Sequence, residues 1–331
     1  MDHDTLSDVL RTVRLRSAFF FHVACKGKWA AEAPPSRDVA RALMPGTDHV
    51  MEYHVVTDGQ CWAAIVGEPP LRLARGDLVM LPHGDAHVIS SAPGLRAKVS
   101  PEDSLRALSA APRPFKVSYG AEAEKPSTTL VCGFLGCDMR PFNPLIAALP
   151  RLLHLPASSG STVSEQFMRL AVQETGAARR GSEALLERMS EMMFVDAVCR
   201  HVETLPKEST GWLAGLRDRH VGRALALLHE KPEKEWSIED LGSRVGLSRS
   251  TLHERFVELI GQPPMQYLAQ WRMQLASRML RESQASVVSV ALAVGYDSEA
   301  AFSRAFKRLV GKSPSVWRKA APEKPRAAIS S

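Results

Sequence analysis

The 331-residue chain has no window that approaches eighteen consecutive apolar residues, which excludes a helical membrane span. The stretch "SAFFFHVAC" (Ser17–Cys25) is too short for one and carries a histidine. The opening "MDHDTLSDVL" is acidic and lacks the basic region of a secretory signal, so a cytoplasmic protein without membrane contact is expected. Cysteine is scarce. The five residues, Cys25, Cys61, Cys132, Cys137 and Cys199, are scattered and odd in number, which fits reduced thiols rather than a disulfide framework. No Ser/His/Asp signature, phosphate-binding loop or dinucleotide fingerprint stands out, so the enzyme classes that need them are not expected.

What is present is an uneven charge. Residues 207–331 hold 20 Lys+Arg against 13 Asp+Glu, whereas residues 1–206 hold 22 against 23. All the excess positive charge lies in the last third, as in a polyanion reader attached to a near-neutral partner domain. The length suits two domains, and 45% hydrophobic residues can fill their cores.

"TLSDVLRTVRL" places Leu6, Val9, Leu10 and Val13 at helical spacing. From Phe19 to about Leu135, short runs such as "HVMEYHVV", "CWAAIV" and "LRLARGDLVMLP" alternate with Gly/Pro/Asp turns, which predicts a sandwich or barrel of short strands. Helical periodicity returns with "SEQFMRLAVQET" and "GSEALLERMSEMMFVDAVCRHVETL". The second puts Leu185, Met189, Met192, Cys199 and Val202 near one face, a stripe for packing on the barrel or on a second subunit. "LPKESTGWLAGLRD" (Leu205–Asp218) mixes Pro, Gly, Ser and charge as a linker does.

Beyond it the sequence repeats. "SRSTLHERFVELIGQPPMQYL" from Ser248 matches "SEAAFSRAFKRLVGKSPSVWR" from Ser298: Leu252 with Phe302, Phe256 with Phe306, Gly261 with Gly311, Pro264 with Pro314, Tyr267 with Trp317. The preceding segments match one residue out of step, pairing Leu241 with Val290, Val245 with Val294 and Gly246 with Gly295. Each copy reads helix, glycine turn, helix. The glycines can end the first helix in the left-handed conformation, and Ser248 and Ser298 can cap the second. This is the helix-turn-helix layout, in which the second helix enters a major groove.

Residues from about Val221 to Arg318 resemble the DNA-binding domain of the AraC-type transcription regulators, which sets two helix-turn-helix units on one platform joined by a long helix. "PMQYLAQWRMQLASRML" (Pro264–Leu280) corresponds to the joining helix. With Leu252 and Phe256 inward, Arg249, Ser250, His253 and Glu254 turn toward DNA, and Arg255 toward a phosphate. The second helix presents Glu299, Ala300, Ser303 and Arg304, with Lys307 and Arg308 near the backbone. Arg304 is suited to a bidentate guanine contact and His253 to a base acceptor. Arg272, Lys307, Arg308, Lys312 and Arg318 are expected to set affinity rather than sequence choice.

In the barrel, "RGDLVMLPHGDAHVI" (Arg75–Ile89) resembles the second motif of cupins through Gly76, Pro82, Gly84 and His87. The partner motif is incomplete: Glu52 stands where a first His would be, His54 follows, and Asp58 lies near the acid's position. Glu52, His54, Asp58 and His87 can in principle hold a divalent metal. A partial ligand set more often marks a pocket, so no cofactor is expected, and Glu52, His54 and His87 are read as effector-gripping residues. A related branch of this family is associated with oxidant sensing through cysteines, which points to Cys25 and Cys132. Cys25 lies beside Lys26 and Lys28, which can lower a thiol pKa, and Cys132 and Cys137 sit around a Gly-Phe-Leu-Gly turn; the competing and favoured reading is that these thiols are buried and inert.

The expected fold is α+β and multidomain: a cupin-like β-barrel plus helices over 1–160, a helical dimerisation segment over 161–205, a linker over 206–218, an all-α double helix-turn-helix domain over 219–320, and a disordered tail over 321–331. The expected function is a non-enzymatic regulator that binds promoter double-stranded DNA as a homodimer, engages RNA polymerase, and responds to a small molecule or oxidant. The alternative is a metal-dependent cupin enzyme fused to a DNA-binding domain.

Overall fold

The computed structural model describes residues 4–12, 15–110, 115–120, 125–137, 139, 141–157, 163, 165–167, 169–170, 173, 181–206 and 208–319. The expected tail at 321–331 lies outside them, as does half of the helical segment expected over 164–175. The chain forms two compact units, and neither is continuous in sequence. The barrel unit takes 14–138 and 149–204; the helical unit takes 1–13, 139–148 and 205–331. The boundaries read from sequence are therefore interleaved: helix α1 (Thr5–Thr12) and the short helix α4 (Pro144–Ala148), both inside the expected sensor domain, belong with the helical unit.

The barrel unit contains strands β1 (Leu15–Cys25), β2 (Ala30–Ala33), β3 (His49–Asp58), β4 (Gln60–Ile65), β5 (Leu71–Ala74), β6 (Leu78–Leu81), β7 (His87–Ser90), β8 (Phe115–Tyr119), β9 (Thr128–Cys137) and β10 (Leu153–Leu155). They form two sheets, ordered β10-β6-β3-β9-β1-β8 and β2-β7-β4-β5. In the larger sheet β9 lies antiparallel between β1 and β3, with Cys132 opposite both Phe21 and His54, and Leu130 opposite both Val23 and Val56. Because side chains alternate along a strand, these rows share one face. They join a core with Trp29, Cys25, Cys61 and Phe134. The segment Cys132–Cys137 is thus continuous strand, not the expected turn. Its two glycines, Gly133 and Gly136, are paired within the ladder.

β3 is buried along nearly its whole length rather than on alternate residues. Helix α5 (Ser182–Thr204) covers its second face: Tyr53 Oη and Ser190 Oγ are 2.9 Å apart, and Phe167 meets the Tyr53 ring edge-on at 6.0 Å. The inward face of α5 carries Leu186, Ser190, Met193, Phe194 and Ala197, while Leu185 and Met192 are exposed. The stripe read from sequence therefore lies off the packed face. α5 is apolar on several sides, so its periodicity does not choose one.

One glycine fixes the approach to β7. Gly84 has φ 69°, and a Cβ there would come within 1.9 Å of Ser36 Oγ on helix α2 (Ser36–Leu43). The tight turn delivers His87 to the interior three residues later.

The helical unit contains α6 (Trp212–Arg217), α7 (Arg219–Glu230), α8 (Ile238–Val245), α9 (Arg249–Ile260), α10 (Pro264–Glu282), α11 (Val287–Ala293), α12 (Glu299–Val310) and α13 (Pro314–Lys319). α8–α9 and α11–α12 are the two expected helix-turn-helix pairs, joined by α10. Ser248 accepts a hydrogen bond from the Thr251 amide, and Ser298 from the Ala301 amide. Leu252, Phe256, Phe302 and Phe306 are fully buried, each contributing about 2 kcal/mol of apolar burial.

Residues 206–218, expected as a linker, contain α6. Its Trp212 is buried and donates its indole N–H to Tyr267 Oη at 2.8 Å. The Gly and Pro content marks the entry to that helix rather than a free tether. α1 packs on α7 and α4. Phe142, just before α4, meets Tyr267 edge-on at 5.5 Å and donates its backbone N–H to Gln274 Oε1 at 3.1 Å.

Candidate effector pocket and nucleic-acid interface

Between its two sheets the barrel unit holds an open-mouthed cavity of about 400 Å³. Phe21, Trp29, Tyr119 and Phe134 supply aromatic wall, and Glu52, His54, His87 and Cys132 supply polar groups. Helix α3 (Pro101–Ala110) contributes Leu105 and Leu108. Alternation on β3 turns Glu52 and His54 to the same face, and β7 brings His87 from the opposing sheet. The three expected pocket residues therefore meet, and all are buried.

Their hydrogen bonds define one consistent proton arrangement. His87 Nδ1 lies 3.0 Å from the Asp85 carbonyl, which can only accept, so His87 Nδ1 carries the proton and its Nε2 a lone pair. His54 Nε2, 2.8 Å from His87 Nε2, is then the donor. His54 Nδ1 is left as acceptor for the Cys132 thiol at 2.9 Å. A chain runs from Cys132 through both imidazoles to the backbone. Burial supports its neutral forms: it drives His87 down to about 4, against the raising effect of the Asp85 carbonyl, and holds His54 well below the usual histidine range, assisted by His87. Glu52 stands outside the chain. Its oxygens lie 3.8 Å and 3.7 Å from the two Nε2 atoms, beyond hydrogen-bond distance, and burial pushes its carboxyl up to about 8.

The thiols follow the buried, inert reading and not activation by the neighbouring lysines. Cys25 is fully buried, and burial, with Cys61 nearby, pushes its pKa up. Cys132 is raised well above the usual thiol value by burial, then by Glu52, Cys25 and Cys61. Both are protonated in the interior, where Lys26 and Lys28 do not control them.

Glu52, His54 and His87 offer donor atoms within 4.8 Å of one another. Asp58, the fourth residue of the expected set, is exposed at the end of β3 and is not among them. The remaining triad offers two imidazole nitrogens and one carboxylate, the donor set of a divalent transition metal, but His54 would first have to move its proton from Nε2 to Nδ1, toward Cys132.

In the helical unit Arg249, Ser250, His253, Glu254, Glu299, Ala300, Arg304, Lys307 and Arg308 are exposed, and Ser303 is half-buried. Arg304 has no acid partner among the described residues. Arg249 pairs with Glu239 at 2.8 Å. Arg255 is committed elsewhere: it grips Asp218, the residue whose side chain caps α7. Arg272 and Arg318, expected at phosphates, are also internal. Arg272 donates to the carbonyls of Pro232, Lys234 and Gly295, and Arg318 to those of Leu280 and Ala285. Sequence reasoning missed the aromatic cavity wall. The signal was available in the alternate residues Phe21, Val23 and Cys25 on β1 and Leu130, Cys132 and Phe134 on β9.

A barrel with an internal cavity and a helical unit with two capped, exposed second helices define a DNA-binding regulator of two parts. Comparison with known proteins agrees. A cupin family model matches residues 4–203, and a helix-turn-helix domain model matches residues 241–320. A putative AraC-like transcription regulator of Streptomyces lividans is 32% identical over 96% of this chain and 98% of its own length. The HTH-type transcriptional regulator AlkR of Acinetobacter baylyi is 28% identical over 95% of this chain and 99% of its own. The RCS-specific HTH-type transcriptional activator RclR of Escherichia coli is 26% identical over 81% and 84%. The chain belongs to the AraC family of DNA-binding transcription regulators, with a cupin domain on its N-terminal side.

Proposed function

We propose that this regulator senses a small molecule in the barrel cavity and that occupancy changes how α9 and α12 meet promoter DNA, without catalysis. The observation that carries this reading is the cavity itself: aromatic walls around a buried Glu52 that lacks a hydrogen-bond partner among the described residues. Arg304 is assigned to a base edge, and His253, Ser250 and Ser303 to the groove. Arg249, Lys307 and Arg308 are assigned to the phosphates, with Glu254, Glu299 and Ala300 on the same faces. The assembly is a homodimer that engages RNA polymerase. The outward Leu185 and Met192 of α5 supply apolar surface for the second subunit.

The oxidant reading draws on the Cys132–His54 contact. Against it stands the protonated state of both thiols, since the thiolate is the reactive form. The metal reading rests on the Glu52, His54 and His87 triad. A divalent ion there would supply Lewis acidity, and metal content lost on His54→Ala or His87→Ala would favour that enzyme-like alternative.

Genome-wide binding of the wild-type chain and of a cavity-filling Ile89→Trp variant tests the sensor reading. Altered promoter occupancy in the variant, with protein levels unchanged, is the expected result. Identical occupancy across conditions in both would overturn it.

A further inference from the structure

Glu52 is 7% exposed, lines the cavity, and has no hydrogen-bond donor within reach among the described residues. The two imidazoles beside it direct their protons elsewhere, into the chain that runs from Cys132 to Asp85. An ionised carboxyl buried without a partner is costly, so alone it stays protonated, and a cation brought against it restores the anion. Among the described lining residues no other charge competes: Glu32 is held by Arg96, Asp103 pairs with Arg106, and Lys116 is exposed on the edge strand β8. An anion carried to the floor of the cavity would meet Glu52 and no buried cation. Aromatic faces attract organic cations, and Trp29 and Tyr119 stack with centroids 6.4 Å apart along one wall.

We propose that the effector is a lipophilic organic ammonium: an apolar, cavity-sized body bearing a protonated amine that seats against Glu52 among the aromatic walls. This rests on the sensor reading above and narrows it to one chemical class. Inorganic cations are the competing occupants, since Glu52, His54 and His87 are also the metal triad.

The test is calorimetric titration of the full chain, treated with chelator, using three probes of one shape: 2-(aminomethyl)naphthalene, 2-naphthalenemethanol and 2-naphthoate. At neutral pH these are a cation, a neutral molecule and an anion. The ammonium is expected to bind about tenfold or more tighter than the alcohol, and the carboxylate weakest. Glu52→Gln is expected to erase the preference for the ammonium while the alcohol binds as before, which also shows that the variant is folded. If Glu52→Gln does not fold, the ranking of the three probes on the wild-type chain decides. Equal affinity for ammonium and alcohol, tighter binding of the carboxylate, or no binding of the ammonium to the metal-free chain overturns the proposal. A separate measurement of DNA affinity with and without the ammonium keeps the two readings apart. Tight binding that leaves DNA affinity unchanged would sink the sensor reading and leave the ligand class standing.

Discussion

The guanidinium of Arg272 reaches the carbonyl of Gly295, 3.1 Å away, and so ties the joining helix to the turn of the second helix-turn-helix. The same side chain holds the carbonyls of Pro232 at 2.6 Å and Lys234 at 2.8 Å. Gly295 is suited to this close approach. Its φ is 79°, and a Cβ would lie 2.4 Å from the Glu233 carbonyl oxygen.

Arg272→Lys is therefore expected to destabilise the helical unit by about 1.5–3 kcal/mol, because an ammonium cannot span three acceptors in the geometry of the fork. Urea unfolding of the full chain, followed by the tryptophans of the helical unit, measures it. A variant as stable as the parent would show that the three bonds set no geometry.

Phe142→Ala removes the ring that meets Tyr267 and leaves the backbone bond to Gln274 in place. A loss of about 1–2 kcal/mol is expected for this half-buried ring. Hydrogen exchange should report it as faster exchange in α10 amides around Tyr267, with the barrel strands unaffected.

Asp218 caps α7 and pairs with Arg255. Burial raises its carboxyl pKa, but the Arg255 bond and the amides of Val221 and His220 outweigh this, so the net position is below the ordinary aspartate value. The sign follows from linkage. A depressed folded pKa gives stabilisation that is present above the unfolded value, near 3.9, and is lost as pH falls through the folded one. Stability of the wild-type chain should fall more steeply than that of Asp218→Asn between about pH 5 and about pH 3. At neutral pH Asn keeps the cap, so the variant should be weaker only by the charge lost at the partly exposed Arg255, about 0.2–1 kcal/mol. Parallel pH profiles would remove Asp218 from the account.

Arg304 and Lys307 lie on the same helix but are assigned different tasks. Arg304→Ala is expected to cost about 1–3 kcal/mol at the preferred site and to relax the choice of base at one position. Lys307→Ala is expected to weaken all sequences alike and to reduce the slope of log affinity against log salt by about 1. Fluorescence anisotropy over a salt series, with matched and singly mismatched duplexes, separates the two.

How much of this was legible depended on the range of the interactions. The helix-turn-helix pair was readable because its signals are local: Ser248 and Ser298 as caps, Gly246 and Gly295 as turns, and Phe302 four residues before Phe306. Glu52, His54 and His87 were readable because period-2 alternation and the Gly84 turn place them. The tasks of Arg255, Arg272 and Arg318 were not readable, since a carboxylate or carbonyl acceptor distant in sequence leaves no mark on the arginine's neighbours. The thiol chemistry was readable only through the usual burial of cysteine, because burial outweighs adjacent lysines and is a property of the packed sheets. The buried face of α5 stayed open because Leu185 and Leu186, or Met192 and Met193, are equally good apolar candidates.

The interleaved chain also has a consequence in time. α1 is synthesised first, yet the helix it packs on, α7, begins only at Arg219, roughly 200 residues later. Phe142 likewise waits for Tyr267. The barrel strands can pair while the ribosome is still making the last third of the chain, but until α7 is made α1 has only the short helix α4 to pack on. At about 5–20 residues per second that interval is tens of seconds. Closing so long a loop costs little more than closing a shorter one, so the final state is not weakened. The exposure falls on the nascent chain, whose amphipathic first helix keeps its α7-facing side open to other partners until about two thirds of the chain has been made.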